Sequence, residues 1–339
     1  MVDSFGRTIN YLRLSVTDRC NLRCLYCMPA EGVSWVSHND VLRFEEILGI
    51  CRVLAGLGIK AVRITGGEPL VRRGVTDFIR ELKAIKGISC VSMTSNGVLL
   101  GEYLEALVDA GLDRVNISLD TLDEKKFCTL TRANTLENMN TLKCIYGFGN
   151  ILPAIDKALN LGLDVKINCV PLRGFNEDDI VKIAALAKDK HITVRFIELM
   201  PFGPAAVLQP LPISETVSLI KKSFGSLKPV SAKPECSRLL PPGHGPASYY
   251  TLHGFTGYIG FISASHNFCK SCNRLRLTSG GNLKSCLFGD DGLDLRALVR
   301  GGASNEEIAR AIRELVVRKP ALHNLGSGNC NKEMFRIGG

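Results

Sequence analysis

In "DRCNLRCLYCMPAEG", Asp18 to Gly32, three cysteines (Cys20, Cys24 and Cys27) fall in the spacing C-x3-C-x2-C. Thiols so close together point to metal ligation rather than packing. A structural zinc site is closed by four ligands, whereas a three-ligand site keeps a position open for chemistry. A cubane iron–sulfur cluster normally takes four thiolates, so three would leave one iron free for an outside ligand. Zinc remains an alternative, although no fourth Cys or His sits at a zinc-like spacing and the nearest histidine is His38. Cys269, Cys272 and Cys286 form a second triad, C-x2-C-x13-C, that raises the same question. The other cysteines (Cys51, Cys90, Cys128, Cys144, Cys169, Cys236, Cys330) have no ligand spacing and are expected to be small buried hydrophobes. Thirteen cysteines, scattered and odd in number, argue for reduced thiols rather than a disulfide framework. The six histidines form no pair at ligand spacing, and none is given a role, although His266 lies close to Cys269.

The elements that hold these residues are legible from periodicity. Short β-branched runs recur: Leu12–Thr17, Ala61–Thr65, Cys90–Ser95, Arg114–Leu119, Asp164–Val170 and Thr193–Leu199. Between them lie helical patterns such as "RFEEILGICRVLAGLG" and "NEDDIVKIAALAKD". Strict alternation implies a parallel sheet with right-handed crossovers, and six units fall short of the eight of a closed barrel. The expected fold class is therefore α/β, a partial (βα)6 TIM-type barrel over residues 1–230, with a doubly wound sheet as the weaker option. Residues 231–339 read as a small C-terminal α+β extension carrying the second triad, its strands "SYYTLHGFTGYIGFISA", "RLRLTS" and "NLKSCLF" forming an antiparallel unit. There "SNEEIARAIRELVVRKP" reads as a helix with Ser304 and Glu307 in a capping box. Such barrels place function at the carboxyl ends of their strands. The unusual segments gather there: the first cysteine loop, "TGGEP" (Thr65–Pro69), "TSNG" (Thr94–Gly97), "SLD" (Ser118–Asp120), Lys166 and Asn168, and Met200.

Composition sets the outer limits. Of the 339 residues, 45% are hydrophobic and 22% charged, so a folded globular protein is expected. No apolar run approaches a bilayer span, and "MVDSFGRTIN" lacks the apolar core of a secretory signal and is too short for a transit peptide. A cytoplasmic location is expected, or the mitochondrial matrix in a eukaryotic source. The net charge of +9 favours an anionic ligand, with a solvated basic surface as the plainer explanation.

"CNLRCLYC" followed by "TGGEP" resembles the signature of radical S-adenosylmethionine (SAM) enzymes. "LRLSVTDRCN", "VKINCV", "CKSCNRLRLTSGGNLKSCLFG" and the terminal "MFRIGG" narrow the resemblance to the GTP 3′,8-cyclase family, which opens molybdenum cofactor biosynthesis. It covers the chain from Phe5 to Gly339. The resemblance implies two [4Fe–4S] clusters, one on Cys20, Cys24 and Cys27 that chelates SAM and one on Cys269, Cys272 and Cys286 that meets the guanine. It places Tyr26, Gly67, Ser118 and Met200 on SAM, and Arg13, Arg63, Thr94, Lys166 and the run Arg274-Leu275-Arg276 on GTP. Both arginines of that run are expected on one strand face. Gly338 and Gly339 would insert into the cavity, where side chains would not fit. The implied reaction is reductive cleavage of SAM, hydrogen abstraction from C3′ of GTP and addition to C8, with Arg274 or Arg276 assisting a final reduction. An electron donor, hand-off to cyclic pyranopterin monophosphate synthase and a homodimer are also implied, with no nucleic-acid or membrane partner. Two departures stand out: about ten extra residues around "ANTLENMNTLKCIYGFG", and no Trp in "PFGPAAVLQPLP". A peptide-directed enzyme of the same superfamily and a non-enzymatic zinc or nucleotide binder remain the alternatives.

Overall fold

Apolar and polar residues alternate along nearly every strand, and that alternation sorts the strand faces. The computed structural model describes residues 1–32, 36–133, 141–200, 203–230, 245–263, 269–289 and 292–323, with side chains left out at 141–146. The expected strands appear as β1 (Tyr11–Ser15), β2 (Ala61–Thr65), β3 (Cys90–Ser95), β4 (Arg114–Ser118), β5 (Asp164–Cys169) and β6 (Thr193–Ile197). Helices α1 (Phe44–Gly56), α2 (Val75–Lys83), α3 (Leu100–Asp109), α4 (Glu124–Thr131), α5 (Thr141–Asn160) and α6 (Ile180–Asp189) fill the crossovers. Leu12, Leu14, Val62, Ile64, Val91, Met93, Val115, Ile117, Val165, Ile167, Val194 and Phe196 belong to one buried core with the apolar stripes of these helices. The intervening positions (Arg13, Arg63, Ser92, Arg114, Lys166 and Arg195 among them) take the opposite face, as a period of two requires.

Beyond β6 the structure corrects one expectation. The later strands do not make an antiparallel unit of their own. After α7 (Ile213–Phe224) come β7 (Lys228–Val230), β8 (Ser248–Thr251), β9 (Tyr258–Ile262), β10 (Arg274–Leu277), β11 (Asn282–Lys284) and β12 (Gly292–Asp294). Among the described residues they join one 12-stranded sheet in the order β12-β11-β10-β1-β2-β3-β4-β5-β6-β9-β8-β7. β9 lies parallel beside β6 and β10 parallel beside β1, and only the outer pairs are antiparallel. Both are apolar enough to be buried on one face: Ile259, Phe261, Leu275 and Leu277 join the same core. The segments are close in sequence, but proximity says nothing about which sheet edge a strand will reach. α8 (Leu295–Arg300) and α9 (Asn305–Val317) follow, and Ser304 and Glu307 form the expected capping box.

Residues 134–140 of the extra stretch lie outside the described set, and from residue 141 it is helix: α5 runs on into "ILPAIDKALN" with Pro153 inside it. The described part of the added length thus extends a crossover helix. Cys90 departs from the reduced-thiol expectation, since it takes part in a disulfide. Cys51, Cys128 and Cys169 are free and buried as expected, while Cys144, Cys236 and Cys330 lie outside the described side chains. No helix among the described residues is long and apolar enough to cross a membrane.

Candidate active site

The first cysteine loop leaves β1 and docks on the end of α4. The Arg23 and Leu25 amides donate to the carbonyls of Thr131 (2.9 Å) and Leu130 (2.8 Å), and the Cys27 and Met28 amides donate to Cys24 O. On the other side the glycines of "TGGEP" press against the loop. A Cβ on Gly67 would lie 2.2 Å from the Arg19 carbonyl, and one on Gly66 2.5 Å from that of Thr17. The Gly67 and Glu68 amides donate to those two carbonyls at 2.8 Å. Glycine is required here by loop-on-loop contact, a demand separate from any approach of SAM.

Glu68 entered the sequence reading only as part of "TGGEP", with no role of its own. Buried, it accepts from the Asn96 amide at 2.7 Å, the Ser95 hydroxyl at 3.0 Å and the Leu70 amide at 3.1 Å, so it binds the β2 loop to the β3 loop. Burial pushes its carboxyl up to about 7 against the pull of those donors. The Asn96 amide group reaches on to Asn21 at 2.7 Å, within the cysteine loop. Tyr26 donates its hydroxyl to Asp120 at 2.5 Å, and Asp120 also accepts from the Val170 amide at 2.7 Å. Burial raises Asp120 to about 6, opposed by those two bonds. The Tyr26 ring sits beside Leu130, Leu172 and Leu199.

Deeper along the strands lies a row of like charge. Arg276 of β10, Arg13 of β1 and Arg63 of β2 are register partners across three adjacent strands. Side chains directly opposite on a sheet face are about 5 Å apart, where like charges repel. Burial first, then Arg276 and Arg63, hold Arg13 well below its ordinary value, and burial lowers Arg63 and Arg276 to about 10. The Nε atoms of Arg13, Arg63 and Arg195 are buried with no hydrogen-bond partner among the described residues. Arg195, which sequence reasoning missed, reaches Asn116 at 2.8 Å and Asn168 at 2.6 Å. Its signal was present: "VRF" repeats the apolar–basic–apolar pattern of "LRL", "VRI" and "VKI". Arg114 faces inward on β4 but pairs with Asp164 at 3.2 Å.

The second triad lies on the other side of this row, along the strand direction. Cys269 and Cys272 precede β10 and Cys286 follows the antiparallel β11, so all three flank the start of β10, whereas Cys20, Cys24 and Cys27 follow the end of its parallel neighbour β1. Arg13 and Arg276 stand between. One cavity of about 300 Å³ is lined by both triads, by Arg13, Arg63, Arg195, Arg274 and Arg276, and by Tyr26, Gly67, Thr94, Ser118 and Met200. Two expected GTP contacts are not in that lining. Leu275 is wholly buried in the helix-covered core, as strand alternation demands between two inward arginines. Lys166 is 2% exposed and donates to the Tyr249 hydroxyl at 3.2 Å, a partner on β8 that sequence reasoning did not supply. Gly338, Gly339 and His266 lie outside the described residues. His323, given no role from the sequence, comes within 2.8 Å of the Cys269 sulfur and lines the cavity.

Burial raises the Cys269 thiol, and two thiols of the first triad share that direction. Burial, with the Glu68 charge, raises Cys20 to about 12, and burial also raises Cys24. At Cys272 burial is outweighed by Arg274 and Lys319, which draw the thiol down to about 6. Thiolate is the form that ligates metal. Among the described residues no three His, Cys, Asp or Glu side chains close on a point where a single ion could sit, as a zinc would require. Three thiols on one loop at a cavity wall suit a cluster with an open iron, and the Tyr26, Ser118 and Met200 wall offers apolar and polar contacts for SAM.

Comparison with known proteins agrees with this geometry. The Radical SAM superfamily model matches residues 14–187 and the Molybdenum Cofactor Synthesis C model residues 192–325. A GTP 3′,8-cyclase of Pelotomaculum thermopropionicum is 43% identical over 345 residues, covering 100% of both chains. The chain belongs to the GTP 3′,8-cyclase family of radical SAM enzymes. A second member, from Thermodesulfovibrio yellowstonii, is 44% identical over 94% of each chain. Among solved structures, Streptococcus suis SuiB bound to S-adenosylmethionine superposes with a TM-score of 0.59 at 13% identity, over 91% of this chain and 68% of that one, a likeness of fold alone.

Proposed function

We propose that this protein converts GTP to (8S)-3′,8-cyclo-7,8-dihydroguanosine 5′-triphosphate, the first step of molybdenum cofactor biosynthesis, using SAM and two [4Fe–4S] clusters. The observation that carries the reading is the pair of thiol triads on opposite sides of the Arg276–Arg13–Arg63 row, all lining one cavity. Cys20, Cys24 and Cys27 hold the cluster that binds SAM, and Cys269, Cys272 and Cys286 hold the second. When bound, the first cluster supplies the electron for reductive cleavage of SAM.

The protein's own part is recognition and placement. A triphosphate replaces repulsion among the arginines with charge-assisted, bidentate hydrogen bonds. Arg195 is fixed by Asn116 and Asn168, so its guanidinium is oriented before the ligand arrives. Arg274 and Arg276 point into the cavity from the strand that starts at the second triad, which sets them beside a nucleotide whose base reaches that triad. Thr94 adds a hydroxyl for GTP and Ser118 one for SAM, both from the cavity lining. A peptide substrate would not call for the arginine row. An external electron donor, hand-off of the product to cyclic pyranopterin monophosphate synthase, a homodimer and a cytoplasmic setting complete the proposal.

The test is product analysis after anaerobic reconstitution with SAM, reductant and GTP. Mass spectrometry should find 5′-deoxyadenosine together with a cyclised isomer of GTP, and neither with ATP in its place. Formation of 5′-deoxyadenosine without a guanine product would refute the substrate.

A further inference from the structure

Around the second triad the chain builds a frame from its two ends. Arg7 donates to Cys269 O at 2.8 Å, Pro320 O at 2.7 Å and Ala321 O at 3.1 Å, while Asp3 holds its Nε. The N-terminal turn thus clamps the loop of Cys269 to the segment after α9. That segment carries two nitrogen-bearing side chains inward. Lys319, 2% exposed, donates to the carbonyls of Arg274 and Ser285 and hydrogen-bonds the Cys272 thiol. An ammonium has three protons, and these partners account for all of them. His323, 4% exposed, places Nδ1 2.8 Å from Cys269 Sγ, its ring stacked on Phe288 at 4.3 Å between centroids. The ring is locked by stacking and the lysine by two backbone carbonyls, so neither side chain is free to swing away from the sulfurs.

We propose that Lys319 and His323 act as positioning residues whose N–H groups hydrogen-bond the thiolates of Cys272 and Cys269, raising the reduction potential of the cluster held by the second triad. The inference rests on reading that triad as cluster ligands. Reduction adds a negative charge, and donors to the ligand sulfurs stabilise the more negative state. The fixed positive charge of Lys319 acts in the same direction in a low-dielectric surrounding. At the first triad the charges oppose one another: at Cys20, Glu68 adds to burial and Arg23 acts against it.

The experiment uses the full chain carrying Cys20→Ala, Cys24→Ala and Cys27→Ala, so that one cluster remains after anaerobic reconstitution. Iron content and a potentiometric titration followed by electron paramagnetic resonance are the readouts. His323→Phe keeps the ring on Phe288 but has no donor, Lys319→Met keeps the stem without the charge, and His323→Gln keeps an N–H. We expect about four irons per chain throughout. His323→Phe and Lys319→Met should each lower the ratio of reduced to oxidised cluster about tenfold at a fixed potential, ~59 mV for one electron, with His323→Gln near the parent. Unshifted curves with iron retained would overturn the proposal. Iron lost from both His323 variants, with Lys319→Met unshifted, would overturn it in favour of His323 as an iron ligand. No iron in the parent would instead remove the second-cluster reading itself.

Discussion

At the level of single side chains, the row of Arg276, Arg13 and Arg63 is built for a ligand at the expense of the empty protein. Three guanidinium groups on one rung repel each other, and burial adds to the cost at Arg13. Arg13→Met should therefore raise the thermal stability of the ligand-free protein, by about 1–2 kcal/mol, as replacement of uncompensated buried charge commonly does. The same change should weaken GTP binding 10- to 100-fold, the loss of one charge-assisted contact of about 1.5–3 kcal/mol. Calorimetry with and without GTP reads both, and a fall in apo stability would contradict the argument. Glu68 gives a pH signature. Its carboxyl titrates near 4.5 unfolded and about 7 folded, so the folded state binds more protons between those values and stability falls as pH rises through the window. Glu68→Gln should abolish that part of the slope, leaving the variant progressively more stable than the parent, relative to pH 4.5, by on the order of 2–3 kcal/mol at pH 8. Melting temperatures of metal-free protein across pH 4.5–8 measure it.

The loops decide whether these side chains meet. The glycines of "TGGEP" are read most readily as room for a cofactor, yet the backbone of the cysteine loop already occupies the space beside them. Gly67→Ala must push that loop away, since carbonyl oxygen cannot sit 2.2 Å from a methyl carbon. The expected outcome is a folded chain that retains the second cluster and loses the first, read as iron falling from about eight to about four per chain. Helix α5 offers a structural counterpart: a Cβ on Gly147 would meet Val98 Cγ1 at 2.5 Å. Gly147→Ala should cost about 1–3 kcal/mol by overpacking, and Val98→Ala in the same chain should recover part of it, which denaturant unfolding of the three variants would show.

For the molecule as a whole, the ends of the chain complete what its middle begins. β9 covers the β6 edge and β10 the β1 edge, each with parallel pairing, so residues 1–230 alone would expose two long hydrogen-bonding edges. That fragment should aggregate on expression where the full chain elutes as a discrete species in size-exclusion chromatography. Asp3 and Arg7 tie the first residues to the second triad. Asp3, held below its ordinary value by its bonds to the Arg7 and Phe5 amides and the Arg7 side chain against burial, stabilises the fold above about pH 3.8 and loses that contribution as pH falls further. Asp3→Asn should cost about 2 kcal/mol at pH 7, a gap that closes in acid.

Much of this was written in local order. The six strands, the capping box at Ser304, both triads and the inward placement of Arg13, Arg63, Arg274 and Arg276 follow from spacing and from periods of 2 and 3.6, which neighbouring residues carry by themselves. What joined across the fold was not legible: β9 and β10 at opposite edges, Glu68 bridging two loops, Tyr249 under Lys166, and Lys319 and His323 against cysteines far away in sequence. A lone Lys or His has no periodicity and no motif, and the "TGGEP" motif that holds Glu68 does not name its partners. Those partners are set by which strands lie side by side, and that is decided by burial of the whole sheet, which only the tertiary structure brings about.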